Sequence, residues 1–374
     1  MQKLKLLFLV VIITSCNKEN RQNENVVYLN KIEHSKGFSL VSYKDVSVVE
    51  VINPWPNSTQ NYKYVLYKNK SSIPDSLKKY KAIKIPLQKI VVTSTTHIPS
   101  LEMLNVESTL CAFPNTNYVS SVKTRELINK GKVREIGSNQ DLNTEVLLEL
   151  QPDVIIGFGI DNSNKTFSNL EKNGLNVMYN GDWTEESPLG KAEWIKFFGA
   201  LYDKNNEAEK IFNTIKKDYL KAKKIASKTK QYPTILCGAI YENQWYLPKG
   251  DSWASLFLKD AYSNYLWKET IGKGSLSLSF ETVLDKAQNA DFWIGPGQFT
   301  SLNAMLDSND NYKHFKAFKN KTVYSFSSKK GATGGVIYYE LASNRPDLVL
   351  KDLIKITHPE LLPDYQLYFF EKLK

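Results

Sequence analysis

Residues 143–159 read NTEVLLELQPDVIIGFG and place a helix directly before a buried strand. The apolar spacing over 144–150 is helical, and Pro152 ends the helix because proline disfavours helix in the residue before it. The wholly apolar stretch 154–156 predicts a strand, and Gly157 and Gly159 permit a close backbone approach where that strand ends. The segment therefore indicates an α/β fold with buried strands.

Residues 279–297, SFETVLDKAQNADFWIGPG, repeat this pattern with an offset of two residues between helix and strand. Each copy has a glutamate early in the helix (Glu145, Glu281), then an aspartate, three apolar residues and Gly-x-Gly. A repeat separated this widely predicts a duplicated domain. We expect two Rossmann-like lobes, each a central, mainly parallel sheet flanked by helices, with a ligand cleft beyond the carboxyl ends of the strands.

The sequence between the copies predicts helices over 188–202 and 206–227. The second would be about 33 Å long, and a continuous helix joining two lobes restricts hinge motion. Strand-like runs over 37–87 predict a β extension packed on lobe 1. The predicted organisation is a signal peptide and anchor cysteine over 1–16, a flexible tether over 17–30, a β extension over 31–88, lobe 1 over 89–187, linker helices over 188–230 and lobe 2 over 231–374.

The N-terminus is typical of an export signal. Two lysines precede the apolar stretch 6–13, and Thr14 and Ser15 precede Cys16. This ending resembles the lipobox of bacterial lipoproteins, in which Cys16 would become the lipidated first residue. The alternative is an ordinary cleaved signal with an incidental cysteine. We expect an extracytoplasmic protein, lipid-anchored to a bacterial membrane in the periplasm or at the cell surface.

Composition excludes several classes of function. The formal net charge is +10, but the lysines are spread along the chain, which argues against a nucleic-acid groove. A mildly basic surface and an anionic small ligand are the alternatives that the charge leaves open. No apolar run has the roughly 20 residues that a membrane span requires. Cys111 and Cys237 read as small buried hydrophobes, and the four histidines lack zinc spacing. We expect no metal site and no resident cofactor.

The order of segments over 89–374 resembles the helix-linked (class III) substrate-binding proteins of ABC importers for iron–siderophores, haem and vitamin B12. The resemblance begins with KIVVTSTT at 89–96 and continues through both copies of the repeat and the linker helix. Further matching segments are Tyr241 to Trp253, YKHFKAFKNKTVY at 312–324, Arg345-Pro346 and His358-Pro359. The β extension lies outside the family pattern.

The resemblance implies a monomer that captures a metal chelate or corrinoid between its lobes and delivers it to an ABC permease dimer with its ATPase. In that family one glutamate on each lobe docks into basic pockets of the permease, and Glu145 and Glu281 stand at the matching positions. From the residues alone, two solvated carboxylates stabilised by the dipoles of their helices are the preferred interpretation, and the resemblance is what favours docking.

Loops that follow strands are expected to line the cleft. Aromatic side chains there suit a flat, partly apolar ligand, and cations suit carboxylates or a phosphate. For each aromatic the alternative is core packing, and His97 is either an axial metal ligand or a structural residue. The expected ligand-binding residues are Thr96, His97, Asn117, Tyr118, Trp183, Trp245, Tyr246, Lys329 and Arg345.

An enzyme is the competing class. The sequence lacks a Gly-x-Ser-x-Gly elbow, a metal-ligand cluster and the surroundings of a reactive cysteine, so we do not expect catalysis. A second alternative is a surface lipoprotein that passes its ligand to an outer-membrane transporter. Siderophore, corrinoid and haem all remain candidates as the ligand.

Overall fold

The computed structural model describes residues 28–29, 32–43, 45–159 and 165–374. The predicted signal peptide, Cys16 and most of the tether lie outside these ranges. Within them, no helix combines the length and the apolar character that crossing a membrane requires.

The N-terminal part of the chain forms a five-stranded sheet in sequential order. Its strands are β1 (Tyr28–Leu29), β2 (Phe38–Ser42), β3 (Val46–Ile52), β4 (Asn61–Tyr67) and β5 (Lys81–Lys84). Neighbouring strands are antiparallel except β4 and β5, which are parallel. Leu40 pairs with Val49, and both side chains enter the core shared with the next sheet, so this extension is packed on lobe 1.

Lobe 1 contains a five-stranded sheet of order β12-β11-β6-β7-β8 in which all strands are parallel. Its elements are β6 (Ile90–Val92), α1 (Ile98–Met103), β7 (Leu110–Phe113), α2 (Val122–Asn129), β8 (Arg134–Glu135), β9 (Gly137–Ser138), β10 (Asp141–Leu142), α3 (Thr144–Leu150), β11 (Val154–Gly157), α4 (Lys165–Lys172) and β12 (Val177–Tyr179). Strands β9 and β10 form a separate antiparallel hairpin.

Both faces of this sheet are covered, which explains why its strands are apolar throughout. Successive side chains of a strand point to opposite faces. Ile90 and Val92 accordingly belong to the core shared with the extension, whereas Val91 faces a second core built with α3 and α4. Leu147 of α3 and Phe167 of α4 pack in that second core.

Three helices connect the lobes: α5 (Pro188–Glu193), α6 (Ile195–Leu201) and α7 (Asn205–Ala226). The buried face of α7 enters both hydrophobic cores. Ala208 and Phe212 pack in the lobe-1 core, whereas Tyr219 and Ala226 pack in the lobe-2 core. The predicted helix over 188–202 is divided at Trp194 into α5 and α6.

Lobe 2 contains a sheet of order β16-β13-β18-β19-β20, parallel except at β20, and an antiparallel sheet of order β14-β15-β17. Its elements are β13 (Thr234–Cys237), β14 (Ala239–Tyr241), β15 (Gln244–Pro248), α8 (Trp253–Asp260), β16 (Asn264–Tyr265), β17 (Ser275–Leu278), α9 (Phe280–Ala287), β18 (Phe292–Ile294), α10 (Leu302–Ser308), α11 (Lys316–Lys319), β19 (Val323–Ser325), α12 (Ile337–Leu341), α13 (Pro346–Thr357) and β20 (Glu371–Lys372).

Short 3-10 turns complete the connections. They span Lys70–Ser72, Asp75–Leu77, Thr95–His97, Glu107–Thr109, Thr116–Tyr118, Asp182–Thr184, Asp310–His314 and Pro359–Leu361.

The two lobes share one strand order, which confirms the duplicated α/β fold. The run β12-β11-β6-β7 corresponds to β19-β18-β13-β16, with α3 and α9 preceding the equivalent strands β11 and β18. The aspartate of each copy has the same structural task. Asp153 accepts hydrogen bonds from the backbone N–H of Gln88 and Lys89 just before β6, and Asp291 accepts one from the N–H of Thr234 at the start of β13.

Candidate ligand-binding site

A pocket of about 900 Å³ opens in lobe 2 at the carboxyl ends of β13 and β18. Cys237 and Gly238 line it after β13, and Gly295 and Gly297 line it after β18. Parallel α/β sheets bind ligands at this edge, and the volume is that of a small-molecule site. Gly295 and Gly297 have φ of +64° and +60°, a left-handed conformation that glycine adopts without strain, so the chain can turn directly over the pocket.

Aromatic side chains form most of the pocket wall. Tyr241, Tyr246 and Tyr339 retain 66%, 41% and 49% of their surface exposed, so their rings are available to a ligand. Behind them, Phe326 stacks on Tyr338 with ring centroids 4.3 Å apart. The aromatic residues lining the pocket are Tyr241, Tyr246, Trp253, Phe257, Phe299, Phe326, Tyr338, Tyr339 and Phe370.

The β14–β15 hairpin decides which of two adjacent aromatic residues reaches the pocket. Its turn residues Glu242 and Asn243 have φ of +47° and +70°, as in a tight two-residue hairpin. Tyr246 pairs with Ala239 and lies on the pocket face. Trp245 points to the opposite face, as alternation along a strand requires.

Trp245 was expected at the cleft, but its side chain is fully buried in the lobe-2 core. Its ring stacks on Trp293 with centroids 5.2 Å apart, and its Nε1 donates to the carbonyl oxygen of Cys237 at 2.9 Å. Trp245 is therefore a core residue in this structure, which is the alternative that the sequence left open for each aromatic residue.

Lobe 1 contacts the pocket region through the loop after β12. Glu186 on this loop forms an ion pair with Lys273 of the pocket wall. Lys191 donates to the carbonyl oxygens of Asp182 and Trp183 at 3.1 and 2.9 Å, and its ammonium lies 5.2 Å from the centre of the Trp253 ring. The loop after β12 thus borders the pocket.

A second contact between the lobes involves α12. Glu340 accepts hydrogen bonds from the backbone N–H groups of Ser120 and Ser121 at 2.7 and 2.9 Å. Thr333 donates to the carbonyl oxygen of Asn117 at 2.8 Å, and Asn344 donates to that of Thr96 at 2.8 Å. The side chain of Asn117 and that of its neighbour Tyr118 are exposed beside this contact.

Thr96 and His97 lie in a buried polar cluster of lobe 1. Thr96 donates to a carboxylate oxygen of Asp182 at 2.8 Å, and the fully buried His97 has its Nε2 3.8 Å from the other. Burial raises the pKa of Asp182, but His97, Lys191 and Thr96 outweigh it, so the pKa lies below its usual value. The His97 ring packs near that of Phe198, and no part of its surface is exposed to a ligand.

The other predicted contacts are dispersed. Trp183 is partly exposed and donates to the carbonyl oxygen of Gly159 at 3.2 Å. Lys329 donates to the carbonyl oxygens of Leu367 and Tyr368 at 2.6 and 2.7 Å. Arg345 forms a two-pronged ion pair with Asp347, at 2.9 and 2.8 Å. Both cations therefore already have partners within the chain.

Glu145 and Glu281 are exposed in the first turns of α3 and α9. The helices begin in the same way, because Asn143 and Ser279 cap them by accepting the N–H three residues later. The two carboxylates thus occupy equivalent, solvent-accessible positions, one on each lobe.

The described residues include two free cysteines, Cys111 and Cys237. Burial raises the pKa of Cys111 to about 11 and also raises that of Cys237, so both thiols stay protonated at neutral pH. Over the described ranges, no three His, Cys, Asp or Glu side chains come together in a way that could hold a metal ion.

Several pocket residues carry no local signal in the sequence. Trp253, Phe326 and Phe370 look like ordinary core residues in the sequence. Only the fold of lobe 2 brings them together around the ends of its strands. Tyr338 and Tyr339 follow the glycine-rich stretch 331–335 after two intervening residues, and that stretch is a local signal for a turn.

Two α/β lobes joined by helices, with a pocket at the strand ends, are an architecture typical of solute-binding proteins. The chain belongs to the periplasmic binding protein family, which its residues 90–329 match. Members of this family bind small ligands and work with ABC transporters.

Individual proteins extend the similarity beyond the family segment. An uncharacterized lipoprotein of Methanocaldococcus jannaschii is 27% identical over 384 residues, covering 95% of this chain and 90% of its own. A possible iron-binding periplasmic solute-binding protein from Staphylococcus epidermidis has a TM-score of 0.56 at 17% identity, covering 73% of this chain and 100% of its own. A periplasmic heme binding protein from Pseudomonas aeruginosa has a TM-score of 0.56 at 15% identity, covering 77% and 98%. At these identities the two structures establish the fold.

Proposed function

We propose that this protein is an extracytoplasmic solute-binding lipoprotein that captures an organic metal chelate in its lobe-2 pocket and delivers it to an ABC importer. The observation that supports this proposal most directly is the pocket itself. It lies at the strand ends of lobe 2, which supplies all of its lining residues, and the loop after β12 reaches it through the Glu186–Lys273 ion pair. The family assignment supports the transport role.

The chemistry of the pocket favours a flat, partly apolar ligand. The exposed rings of Tyr241, Tyr246 and Tyr339 offer stacking faces, and Gln298 donates to the Tyr339 hydroxyl at 3.0 Å, which helps to orient that ring. A siderophore, corrinoid or haem carries its metal within an organic framework, and that framework can pack against the aromatic side chains of the pocket. The possible iron-binding protein and the heme binding protein of similar fold are consistent with this class.

The proposed anchor is a lipid on Cys16. The charged start, the short apolar stretch and the small residues before the cysteine support it. The similar M. jannaschii protein is itself named a lipoprotein. A polar tether after the anchor would let the lobes reach a membrane-embedded partner.

The proposed docking residues are Glu145 and Glu281. Their exposure and equivalent positions suit a permease dimer with two matching basic pockets, because symmetric partners require similar contacts on both sides. We propose that the protein acts as a monomer and without catalysis, so a bound ligand should be recovered chemically unchanged.

Fluorescence titration of the purified protein with haemin, a ferric siderophore and cyanocobalamin tests the ligand class. Tyr246→Ala and Tyr339→Ala should each weaken binding of the accepted ligand by about 1–3 kcal/mol, the usual range for a lost stacking contact. Tyr232→Ala is the matched control, because Tyr232 is an exposed tyrosine that does not line the pocket. Wild-type affinity in both pocket variants would place the site elsewhere, and recovery of altered ligand would indicate an enzyme.

A further inference from the structure

The pocket has an uneven charge distribution. Lys273 is the one lysine or arginine among the described residues that line it, and none of those lining residues is an aspartate or glutamate. The carboxylate that balances Lys273 comes instead from Glu186, on the loop after β12. The pocket wall therefore contributes a positive charge, and its counter-charge comes from a different part of the chain.

The Lys273–Glu186 pair is open to exchange. Their side chains retain 60% and 37% of their surface exposed, and ion pairs at such sites are weak because water screens them. Lys329 and Arg345 are held differently, by two backbone carbonyls and by a buried aspartate respectively. Lys273 is thus the cation at the pocket that an incoming anion can engage at the least cost.

The backbone on both sides of the pair is well fixed. Next to Glu186, the buried carboxylate of Glu185 accepts hydrogen bonds from the N–H of Gly37 at 2.7 Å and from the indole of Trp194 at 3.1 Å. Next to Lys273, the N–H of Gly272 donates to Asp251 at 2.7 Å. Exchange therefore requires only that the two side-chain ends move apart, while the loops that carry them stay in place.

We propose that Lys273 is the anion-recognition residue of the pocket and that Glu186 occupies it as a resident competitor, which an anionic group of the ligand displaces. The inference rests on the proposed function and deepens it. It specifies the ligand as an anionic chelate with a free carboxylate or similar group next to an apolar or aromatic body. Neutral chelates would bind the aromatic walls without gaining the Lys273 contact.

Two variants should shift affinity in opposite directions. Glu186→Gln removes the competitor but keeps the side-chain size, so an anionic chelate should bind about two- to fivefold more tightly, the range expected for an exposed ion pair. Lys273→Gln should weaken the same ligand by about tenfold or more, as expected for a lost charge-assisted hydrogen bond. Combining the substitutions should abolish the gain from Glu186→Gln, because the two residues act on one contact.

Matched probes separate charge from shape. Titrations with haemin and haemin dimethyl ester compare one macrocycle with and without carboxylates, and ferric citrate and a neutral ferric trihydroxamate extend the comparison to non-planar chelates. The anionic member of each bound pair should respond to both variants, and the neutral member to neither. Lys286→Gln, a lysine of lobe 2 that does not line the pocket, should change nothing.

The outcomes distinguish this inference from the proposed function. Suppose that the wild type binds a probe and that neither Glu186→Gln nor Lys273→Gln changes the affinity for anionic or for neutral chelates. The proposed exchange is then overturned, and the transport function stands. If both variants weaken binding, Glu186 supports the site and does not compete. If the wild type binds none of the four chelates or cyanocobalamin, the proposed function itself is contradicted.

Discussion

Glu340 of lobe 2 accepts a hydrogen bond from the backbone N–H of Ser120 in lobe 1, with 2.7 Å between the nitrogen and Oε2. The same five-residue helix α12 carries Tyr338 and Tyr339 of the pocket wall. One short element therefore contacts the other lobe and the pocket at once. A change in the separation of the lobes must act on these tyrosines.

Glu340 should make stability depend on pH. Its pKa is raised to about 7, mainly by burial and in addition by the nearby Glu102, although hydrogen bonds from Ser120 and Ser121 lower it. Below about pH 4.5 the carboxyl group is protonated both in the folded and in the unfolded chain. As pH rises from about 4.5 to about 7, the unfolded chain ionises before the folded protein does, so this contribution to stability is lost over that range.

Urea unfolding of the wild type and Glu340→Gln between pH 4.5 and 8 measures this effect. The stability of the wild type should fall relative to that of the variant as pH rises, because glutamine does not ionise. Titrating groups that do not interact with Glu340 are common to both proteins and cancel in the difference, whereas Glu102 is coupled to it. A constant difference across the range would show that Glu340 keeps the same charge in the folded and unfolded states.

Ligand binding should change the overall dimensions only slightly. Helix α7 places Phe212 in the core of lobe 1 and Tyr219 in the core of lobe 2, so rotation of the lobes would have to bend a packed helix. We expect backbone displacements on the order of 1 Å. Small-angle scattering with and without saturating ligand should give nearly equal radii of gyration, and a large compaction would contradict the helix-linked mechanism.

Charge reversal at the proposed docking residues should separate transport from binding. Glu145→Lys combined with Glu281→Lys should leave the dissociation constant of the ligand nearly unchanged but abolish ligand-dependent stimulation of permease ATPase and uptake, because exposed charges act mainly on association. Glu207→Lys is the matched control, since Glu207 is also exposed in the first turn of a helix. Equal losses of affinity and uptake in the double variant would assign the pair to the ligand site.

Cys16→Ser should release the protein from the membrane or leave its precursor unprocessed, because serine lacks the thiol to which the lipid attaches. Membrane fractionation and fatty-acid labelling in cells measure the result. Cys111→Ser should keep both the label and the membrane fraction, since Cys111 lies within lobe 1. Unchanged labelling of the Cys16 variant would remove the lipoprotein assignment.

Trp245→Ala and Tyr246→Ala should affect different properties although the residues are adjacent. Trp245 is fully buried against Trp293, so its truncation should cost about 3–5 kcal/mol of unfolding free energy. Tyr246 is partly exposed at the pocket, so its truncation should cost much less stability and act on affinity. Equal losses of stability in denaturant titrations would contradict these placements.

The sequence by itself determined the features that depend on neighbouring residues. The helix and strand of each repeat, the strand runs of the extension and the position of α7 follow from periodicities of 3.6 and 2 residues and from turn chemistry, which act over a few positions. The duplicated motif therefore predicted two equivalent lobes, with Glu145 and Glu281 at the starts of corresponding helices.

Only the tertiary structure decided which side chains reach the pocket and which charges are already paired. A strand pattern does not reveal which of its two faces packs against a core. The sequence therefore does not tell which of Trp245 and Tyr246 is buried and which lines the pocket; the packing of β15 between β14 and β17 decides it. Lys329 donates hydrogen bonds to the carbonyl oxygens of Leu367 and Tyr368, and Lys273 forms an ion pair with Glu186. Both interactions join parts of the chain that are distant in sequence. The free energy of each of those contacts depends on how the elements pack in space, and that packing is not encoded within any single window of the sequence.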